Sequence, residues 1–221
     1  MNEFVQLFGN SAPQNVSTSV QLLLVLTVLS LAPSILILMT CFTRIVIVLS
    51  FVRTSLGTQQ MPPNQVLMGL ALFMTFFIMN PTFTEVNQKA LTPLINEKIS
   101  INEAYTNAEK PFKEFMSKHT RQKDLELFLG YAKIDKPKSV DKIPLSALVP
   151  AYAISEIKTA FQIGFMIFIP FLVIDMVVAS VLMSMGMMML PPVMISLPFK
   201  ILLFVMVDGW YLVVKSLLQS F

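Results

Sequence analysis

Apolar residues in this chain form long continuous runs, interrupted by one extended polar stretch. Each run can cross the hydrocarbon core of a membrane, which takes about 20 residues of helix. Charged residues are missing from three long intervals, which lie between Glu3 and Arg44, between Arg53 and Glu85, and between Asp175 and Lys200. The pattern predicts four hydrophobic helices, at roughly 20–42, 64–84, 160–182 and 193–214.

The four runs pair into helical hairpins, so the predicted fold is all-α and membrane-associated. We divide the chain into a tail with the first hydrophobic hairpin (1–84), a polar helical insert (85–148) and a second hydrophobic hairpin (149–221). Apolar residues recur at near-helical spacing among the charges of the insert, which predicts short amphipathic helices. Asn102 and Asp124 are plausible helix starts in the insert, and Gly130 is a plausible stop. We expect these helices to pack on each other or on a neighbouring subunit.

Prolines interrupt three of the predicted hydrophobic helices. Pro33, Pro170 and Pro198 each remove a backbone hydrogen bond, which predicts a bend or a local break at each position. Pro191 and Pro192 separate the third segment from the fourth, because proline suits the first turn of a helix and blocks its interior.

The distribution of arginines predicts the orientation in the membrane. The connection from Arg44 to Pro63 carries Arg44 and Arg53 and no acid, whereas the preceding tail carries only Glu3. By the positive-inside rule the connection lies in the cytoplasm and the N-terminus outside, which also places the polar insert and the C-terminus outside. The tail has no basic residue, so we do not expect a cleavable secretory signal.

The composition is that of a membrane protein, and it excludes several kinds of functional site. Of the 221 residues, 55% are hydrophobic and 13% are charged, with a net charge of +3. The lone cysteine and lone histidine, Cys41 and His119, exclude an intrachain disulfide and a metal centre built on either residue type. We expect Cys41 to pack in the core and His119 to be solvated on a helix, and we expect no cofactor. Acids and bases are mixed within the insert, unlike the basic stripe of a nucleic-acid-binding protein.

One short motif resembles a catalytic one. Ser155 and Lys158 have the S-x-x-K spacing of acyl-transferring serine enzymes, in which the lysine lies one helical turn from the nucleophile. The companion S-D-N and K-T-G elements do not occur in the sequence. We therefore keep a membrane-embedded hydrolase only as an alternative and expect that the chain is not an enzyme.

Charged residues in or beside the hydrophobic segments are more informative, because an ionised group there needs a partner or water. They are Glu156, Lys158, Asp175, Lys200 and Asp208, and we expect them to be buried. If both helices of the second hairpin ran unbroken to the prolines, Asp175 and Lys200 would miss each other by roughly 12 Å, at 1.5 Å per residue. Either the stretch between them leaves the helix as a loop, or Asp175 pairs with Lys200 of another copy. Both outcomes favour an oligomer around a cavity.

Methionines are concentrated in the stretch LMSMGMMMLPP, Leu182–Pro192. Core filling is the ordinary role of methionine in a membrane helix, and it stays open as one interpretation. Here the run contains Gly186 and abuts a proline break, and an unbranched thioether side chain repacks around varied shapes. A ring of such loops could close a pore and yield to a passing chain, as hydrophobic constrictions gate channels.

Three stretches of the sequence together resemble the FliP/SctR family, the flagellar and virulence type III export-gate proteins. They are residues 41–81, from CFTRIVIVLSF to FFIMNP, residues 149–192, from VPAYAISEIK to GMMMLPP, and residues 195–213, ISLPFKILLFVMVDGWYLV. Within the first, RTSLGTQQMPPNQ is similar to the flagellar branch of the family.

The resemblance implies a core component of the flagellar type III export gate, located in the cytoplasmic membrane and the flagellar basal body. It implies a channel for unfolded flagellar subunits, built from five copies of the chain with an FliQ-like and an FliR-like protein. FlhA/FlhB-like export apparatus proteins are further implied partners. In the implied assembly the hairpins form a helical cone and rise largely out of the bilayer plane.

The resemblance also implies roles for particular residues. A methionine gasket that seals the closed pore falls on Met187, Met188 and Met189, with Met183 and Met185 as possible neighbours. An intersubunit charge pair falls on Asp175 and Lys200. The alternative function is an ion or solute transporter in which Asp175, Lys200 and Glu156 form an intramembrane relay.

Overall fold

The computed structural model describes residues 13–58, 60–135, 137, 139–187 and 189–221. Over these residues the chain is helical and contains no β-strand, as predicted. It divides into two units, Met1–Leu38 and Met39–Phe221. The helices are α1 (Pro13–Leu38), α2 (Phe42–Leu56), α3 (Asn64–Val86), α4 (Thr92–Ile95), α5 (Ile101–His119), α6 (Gln122–Tyr131), α7 (Leu145–Ser184), α8 (Pro192–Met206) and α9 (Gly209–Gln219).

The first unit is described by helix α1. Most of the first predicted apolar run lies in α1, which ends at Leu38, before α2 begins at Phe42. The helix continues through position 33, so the local break considered for Pro33 does not occur. Apolar side chains such as Leu22, Leu26 and Leu29 are exposed.

Helix α2 corrects the prediction that Arg44 to Pro63 is only a short connection. Its apolar side chains recur at helical spacing, and Ile45, Val48, Leu49 and Val52 are fully buried. This face packs mainly against α7 and also against α3. The helix ends at Gly57, which adopts the left-handed conformation with φ +72° and therefore suits glycine.

Helix α3 continues through a π-helical turn (Asn87–Leu91) into α4, so the predicted second segment extends beyond residue 84. Together they make a helical stretch of 32 residues, Asn64–Ile95, that is long enough and contains a segment apolar enough to cross a membrane. Pro81 lies inside α3 without ending it.

The polar insert folds onto the N-terminal part of α7. Ser100 caps α5 and forms a capping box with Glu103, so the N-cap lies two residues before the predicted start signal, Asn102. Gly130 lies inside α6 rather than ending it, and Lys133 takes the left-handed position beyond the helix. Buried side chains from α5 and α7 meet in one cluster that includes Met116, Leu148 and Tyr152. The insert therefore packs on α7 of its own chain, a contact that the sequence did not predict.

Helix α7 is 40 residues long and is the second helix able to cross a membrane. It runs unbroken through Pro170, and α8 runs unbroken through Pro198, so neither proline produces the local break considered for it. The break instead falls between α8 and α9, which bend by 63° at Val207–Asp208. Within the described residues two helices can span a membrane, or three if α8 and α9 count as one bent span.

Candidate functional site

The methionine-rich stretch forms the turn of the second hairpin. Helix α7 ends at Ser184, and the N–H groups of Gly186 and Met187 donate to the carbonyls of Met183 and Leu182, both at 3.0 Å. This pair of bonds is a Schellman cap, and Gly186 supplies its left-handed residue with φ +72°. Pro192 begins α8 at the position where proline fits a helix best. We call the segment from Met185 to Pro191 the methionine loop.

The methionine side chains at this turn are exposed within the chain. The exposed fraction is 65% for Met183, 57% for Met185, 37% for Met187 and 100% for Met189. Met188 lies outside the described residues. Leu182 just before them is buried, whereas many other side chains in the last turns of α7, such as Met176 and Val181, are exposed as well.

An ionic contact lies at the base of the methionine loop. Lys200 Nζ is 2.6 Å from Asp175 Oδ2, and the Ser196 hydroxyl donates to Asp175 Oδ1 at 2.5 Å. Lys200 is almost fully buried, while Asp175 is partly covered. Because α7 ends at Ser184, Asp175 and Lys200 lie at the same height on the two helices and meet within one chain. This is the first of the two predicted alternatives, in which the stretch between them leaves the helix as a loop. An intersubunit pair, which the resemblance implied, stays a prediction about the assembly.

A second ion pair joins α2 to α7 and identifies the partner of Glu156. Arg44 Nε donates to Glu156 Oε2 at 2.9 Å, and Arg44 Nη2 contacts Oε1. Both side chains are buried, with exposed fractions of 3% and 0%. Arg44 Nη1 also donates to the Ser220 carbonyl at 2.6 Å, and the Phe221 ring covers the guanidinium with 3.8 Å between Cζ and the ring centroid. Sequence reasoning missed this pair because it treated Arg44 as a cytoplasmic loop charge.

The other two charges predicted to be buried, Lys158 and Asp208, are exposed in this chain. Lys158 lies on a solvent-facing side of α7. Asp208 occupies the bend between α8 and α9, where its backbone is left-handed with φ 51°.

Ser155 makes contacts that differ from those of an S-x-x-K nucleophile. Its hydroxyl donates to Asp124 Oδ2 at 2.7 Å and accepts the backbone N–H of Arg121 at 3.0 Å. Burial opposes ionisation of Asp124, but hydrogen bonds from Ser155 and Arg121 outweigh it and lower the pKa of that carboxyl. Ser155 therefore anchors the start of α6 to α7, whereas Lys158 is exposed.

Cys41 and His119 are both in packed surroundings. Cys41 is fully buried in the main core, as expected. His119 is partly buried rather than solvated, with its ring centroid 4.9 Å from that of Phe115 and 5.4 Å from that of Phe221. Burial, with the nearby charges of Arg44 and Lys118, lowers the pKa of His119 to about 4. Among the described residues no group of three or more His, Cys, Asp or Glu side chains could hold a metal ion.

Comparison with known proteins identifies the family. A model of the FliP family matches residues 25–217. The flagellar biosynthetic protein FliP of Bacillus subtilis (strain 168) is 79% identical over 221 residues, which cover 100% of this chain and 100% of that protein. The protein of the same name from Aquifex aeolicus (strain VF5) is 54% identical over 94% of this chain and 87% of its own length. That of Borreliella burgdorferi is 48% identical over 97% and 85%. These matches confirm the family predicted from the sequence, and the chain belongs to the FliP family.

Proposed function

We propose that the chain is a membrane subunit of the flagellar type III protein export gate and that its methionine loop helps to close the export channel. Several copies would surround a shared axis, with the methionine loops meeting at the centre. The family membership supports the flagellar role, since the relatives carry the name flagellar biosynthetic protein. The polar insert, residues 85–148, would lie outside the cytoplasm.

The observation that carries the proposal is the exposure of apolar methionines at the tip of a braced hairpin. Met189 is fully exposed, and Met185 is more than half exposed. Exposed methionines at one loop are costly in water, unless neighbouring copies or a passing chain cover them. The Asp175–Lys200 contact holds the two helices at the base of the loop, so the side chains at the tip can repack while the base stays fixed.

Much of the apolar surface of α7 is also left uncovered by the rest of the chain. Only 11% of the residues in its most apolar 18-residue stretch are buried within the chain. Lipid or other subunits must cover the rest, because a helix that is hydrophobic all round is stable only when buried. We propose that five copies, with FliQ-like and FliR-like proteins, supply much of this cover. FlhA/FlhB-like proteins and unfolded export substrates are the further proposed partners.

Replacing Met187, Met188 and Met189 together by alanine tests the gasket. We expect more ion leakage through the membrane of cells that carry the assembled gate, with continued secretion of flagellar subunits into the medium. A matched control replaces Met166, Met176 and Met206 by alanine, since these three are exposed on α7 and α8 outside the loop. Equal leakage in the triple variant, the control and the unmodified protein would contradict a sealing role.

The transporter alternative rests on the Asp175–Lys200 contact between two apolar helices. The substitutions Asp175→Asn and Lys200→Gln separate the two functions. A relay would lose ion or solute flux while the assembly stays intact. A structural brace would lose assembly or leak more, with no substrate-dependent flux to lose. Native mass measurement of the purified complex, combined with a flux assay in vesicles, distinguishes these results.

A further inference from the structure

The connection between α2 and α3 lies against the base of the methionine loop. Residues 57–63 make this connection, which we call the α2–α3 turn. A Cβ added at Gly57 would lie 3.5 Å from Val193 Cγ1 and 3.8 Å from Lys200 Nζ, which are ordinary contact distances. Val193 is the second residue of α8, directly after the methionine loop. The turn therefore contacts α8 both at the end of the loop and at the ion pair below it.

Lys200 is held from two sides. Its ammonium contacts Asp175 Oδ2 on α7 at 2.6 Å, and its side chain is almost fully buried. The ammonium also lies beside Gly57, the residue that ends α2. The carbonyl groups in the last turn of a helix form the negative end of its dipole, so a cation is stabilised there. The position of Lys200 thus links α2, α7 and α8.

The α2–α3 turn has the contacts of a fixed element. The N–H of Gly57 donates to the Thr54 carbonyl at 3.1 Å, and Arg53 Nη1 donates to Asn64 Oδ1. The second of these bonds joins the last turn of α2 to the first residue of α3. Gly57 has φ +72°, a conformation that glycine adopts freely and asparagine tolerates, whereas other side chains rarely adopt it. The path of the turn beside Lys200 therefore depends on the residue at position 57.

We infer that the α2–α3 turn is a second brace at the base of the methionine loop, in which Gly57 positions Lys200 so that Lys200 holds α7 and α8 together. Gly57 acts through Lys200 and is a positioning residue. The inference rests on the proposed function, because leakage depends on this base only if the methionine loop seals a channel. A displaced turn should loosen the seal, whereas a turn fixed covalently to α8 should leave secretion intact, since only the methionine side chains must repack.

The first test measures ion leakage through the membrane of cells that carry the assembled gate. The strain of a left-handed β-branched residue is relieved when the turn moves away from α8. Gly57→Val should therefore raise leakage about 5- to 30-fold. Gly57→Ala should act in the same direction with a smaller effect, and Gly57→Asn should stay within about twofold of the unmodified chain. Ser100→Ala is the control, because it lowers stability by removing the capping box of α5 and should leave leakage unchanged.

A second comparison separates positioning from a general loss of structure. Asp175→Asn with Lys200→Met removes both charges at the base, so no buried charge is left without a partner. This pair of substitutions should raise leakage by itself. Adding Gly57→Val to it should raise leakage no further, because the side chain that Gly57 positions is gone.

A disulfide tests the contact itself. Gly57→Cys with Val193→Cys places two thiols within reach of each other, and Cys41 is fully buried and stays unreactive. Oxidation with diamide should join the two positions within one chain. The oxidised gate should leak as little as the same protein after reduction and should continue to secrete flagellar subunits.

Several results would overturn the inference. It fails if Gly57→Val seals as well as the unmodified chain while the triple methionine variant leaks, or if Ser100→Ala leaks as much as Gly57→Val. It also fails if Gly57→Val adds leakage when the charge pair is already removed, or if the disulfide stops secretion or joins two copies. A triple methionine variant that does not leak would contradict the proposed function, and the inference would fail with it.

Discussion

Removing the carboxylate of Glu156 should be among the most damaging single changes in this chain. Arg44 would stay buried while losing both contacts to that carboxylate. Three contacts would remain, to the carbonyl and the hydroxyl of Ser220 and to the face of the Phe221 ring. None of these groups carries a countercharge, so the guanidinium would be left with hydrogen bonds and a cation–π contact only.

The magnitude follows from the burial of both side chains. Breaking one side of a buried ion pair costs about 3–5 kcal/mol, because the remaining charge is left without compensation. The cation–π contact with Phe221 exists in the unmodified chain as well, so it does not reduce this difference. We therefore expect Glu156→Leu to lower the free energy of unfolding by about 3–5 kcal/mol. Replacing both partners, Arg44→Met with Glu156→Leu, should cost far less than the two single changes together, because no buried charge remains.

Denaturant unfolding of the purified chain in detergent micelles, followed by the loss of helical signal, measures these differences. Glu114→Gln is the matched control, since this acid is exposed on α5 and its loss should change stability by less than about 0.5 kcal/mol. A cost below about 1 kcal/mol for Glu156→Leu would refute the reasoning. So would a double variant whose loss equals the sum of the single losses.

Three smaller effects follow from local geometry, and the same unfolding measurement checks each of them. Gly57→Ala should lower the free energy of unfolding by about 1 kcal/mol, because φ is +72° there. Gly69→Ala should raise it by about 0.5–1 kcal/mol, because Gly69 lies inside α3 with open space around it. Ser100→Ala should cost about 1 kcal/mol, since it removes the capping box of α5. The pKa of His119, about 4 when folded, lies below its unfolded value of about 6.5, so the unfolded state binds more protons between these values. Stability should therefore fall as the pH drops from 6.5 to 4, and His119→Phe should remove that part of the slope.

For each of these three predictions, one experimental result would contradict the reasoning. Gly57→Ala and Gly69→Ala changing stability in the same direction would show that backbone conformation does not decide the effect at Gly57. An unchanged melting curve for Ser100→Ala would mean that the first turn of α5 does not need its cap. Identical pH slopes for His119→Phe and the unmodified chain would mean that His119 titrates alike in the folded and unfolded states.

Hydropathy and proline placement predicted much of the architecture. The long apolar runs predicted the helices that could enter a membrane, and Gly186 with Pro191 and Pro192 marked the turn between α7 and α8. The prediction that Asp175 and Lys200 could meet if the methionine stretch looped out required only the rise of a helix. Such features are local, or depend on two segments joined by one short turn.

The parts that could not be predicted depend on contacts between distant segments. Arg44 and Glu156 are 112 residues apart, and nothing in the periodicity of either segment links them. For the same reason His119 was placed in solvent, although the Phe221 ring packs against it. The sequence predicts the bend of the last segment at Pro198, but the bend lies at Asp208. A proline within a helix can be accommodated, whereas a left-handed residue ends the helix.

The Arg44–Glu156 and Asp175–Lys200 contacts both involve α7, and their positions bear on how the hairpin can move. Glu156 and Asp175 are 19 residues apart, so about 28 Å of helix separates the contact to α2 from the contact to α8. A movement of α8 relative to α7 can keep the Arg44 pair intact but must stretch or break the contact between Asp175 and Lys200. Conversely, a movement that keeps the Lys200 contact must carry α8 along with the end of α7. We therefore expect α8 to move together with the end of α7 for as long as Lys200 keeps its contact with Asp175. Repacking of side chains in the methionine loop should cost less free energy than separating α8 from α7.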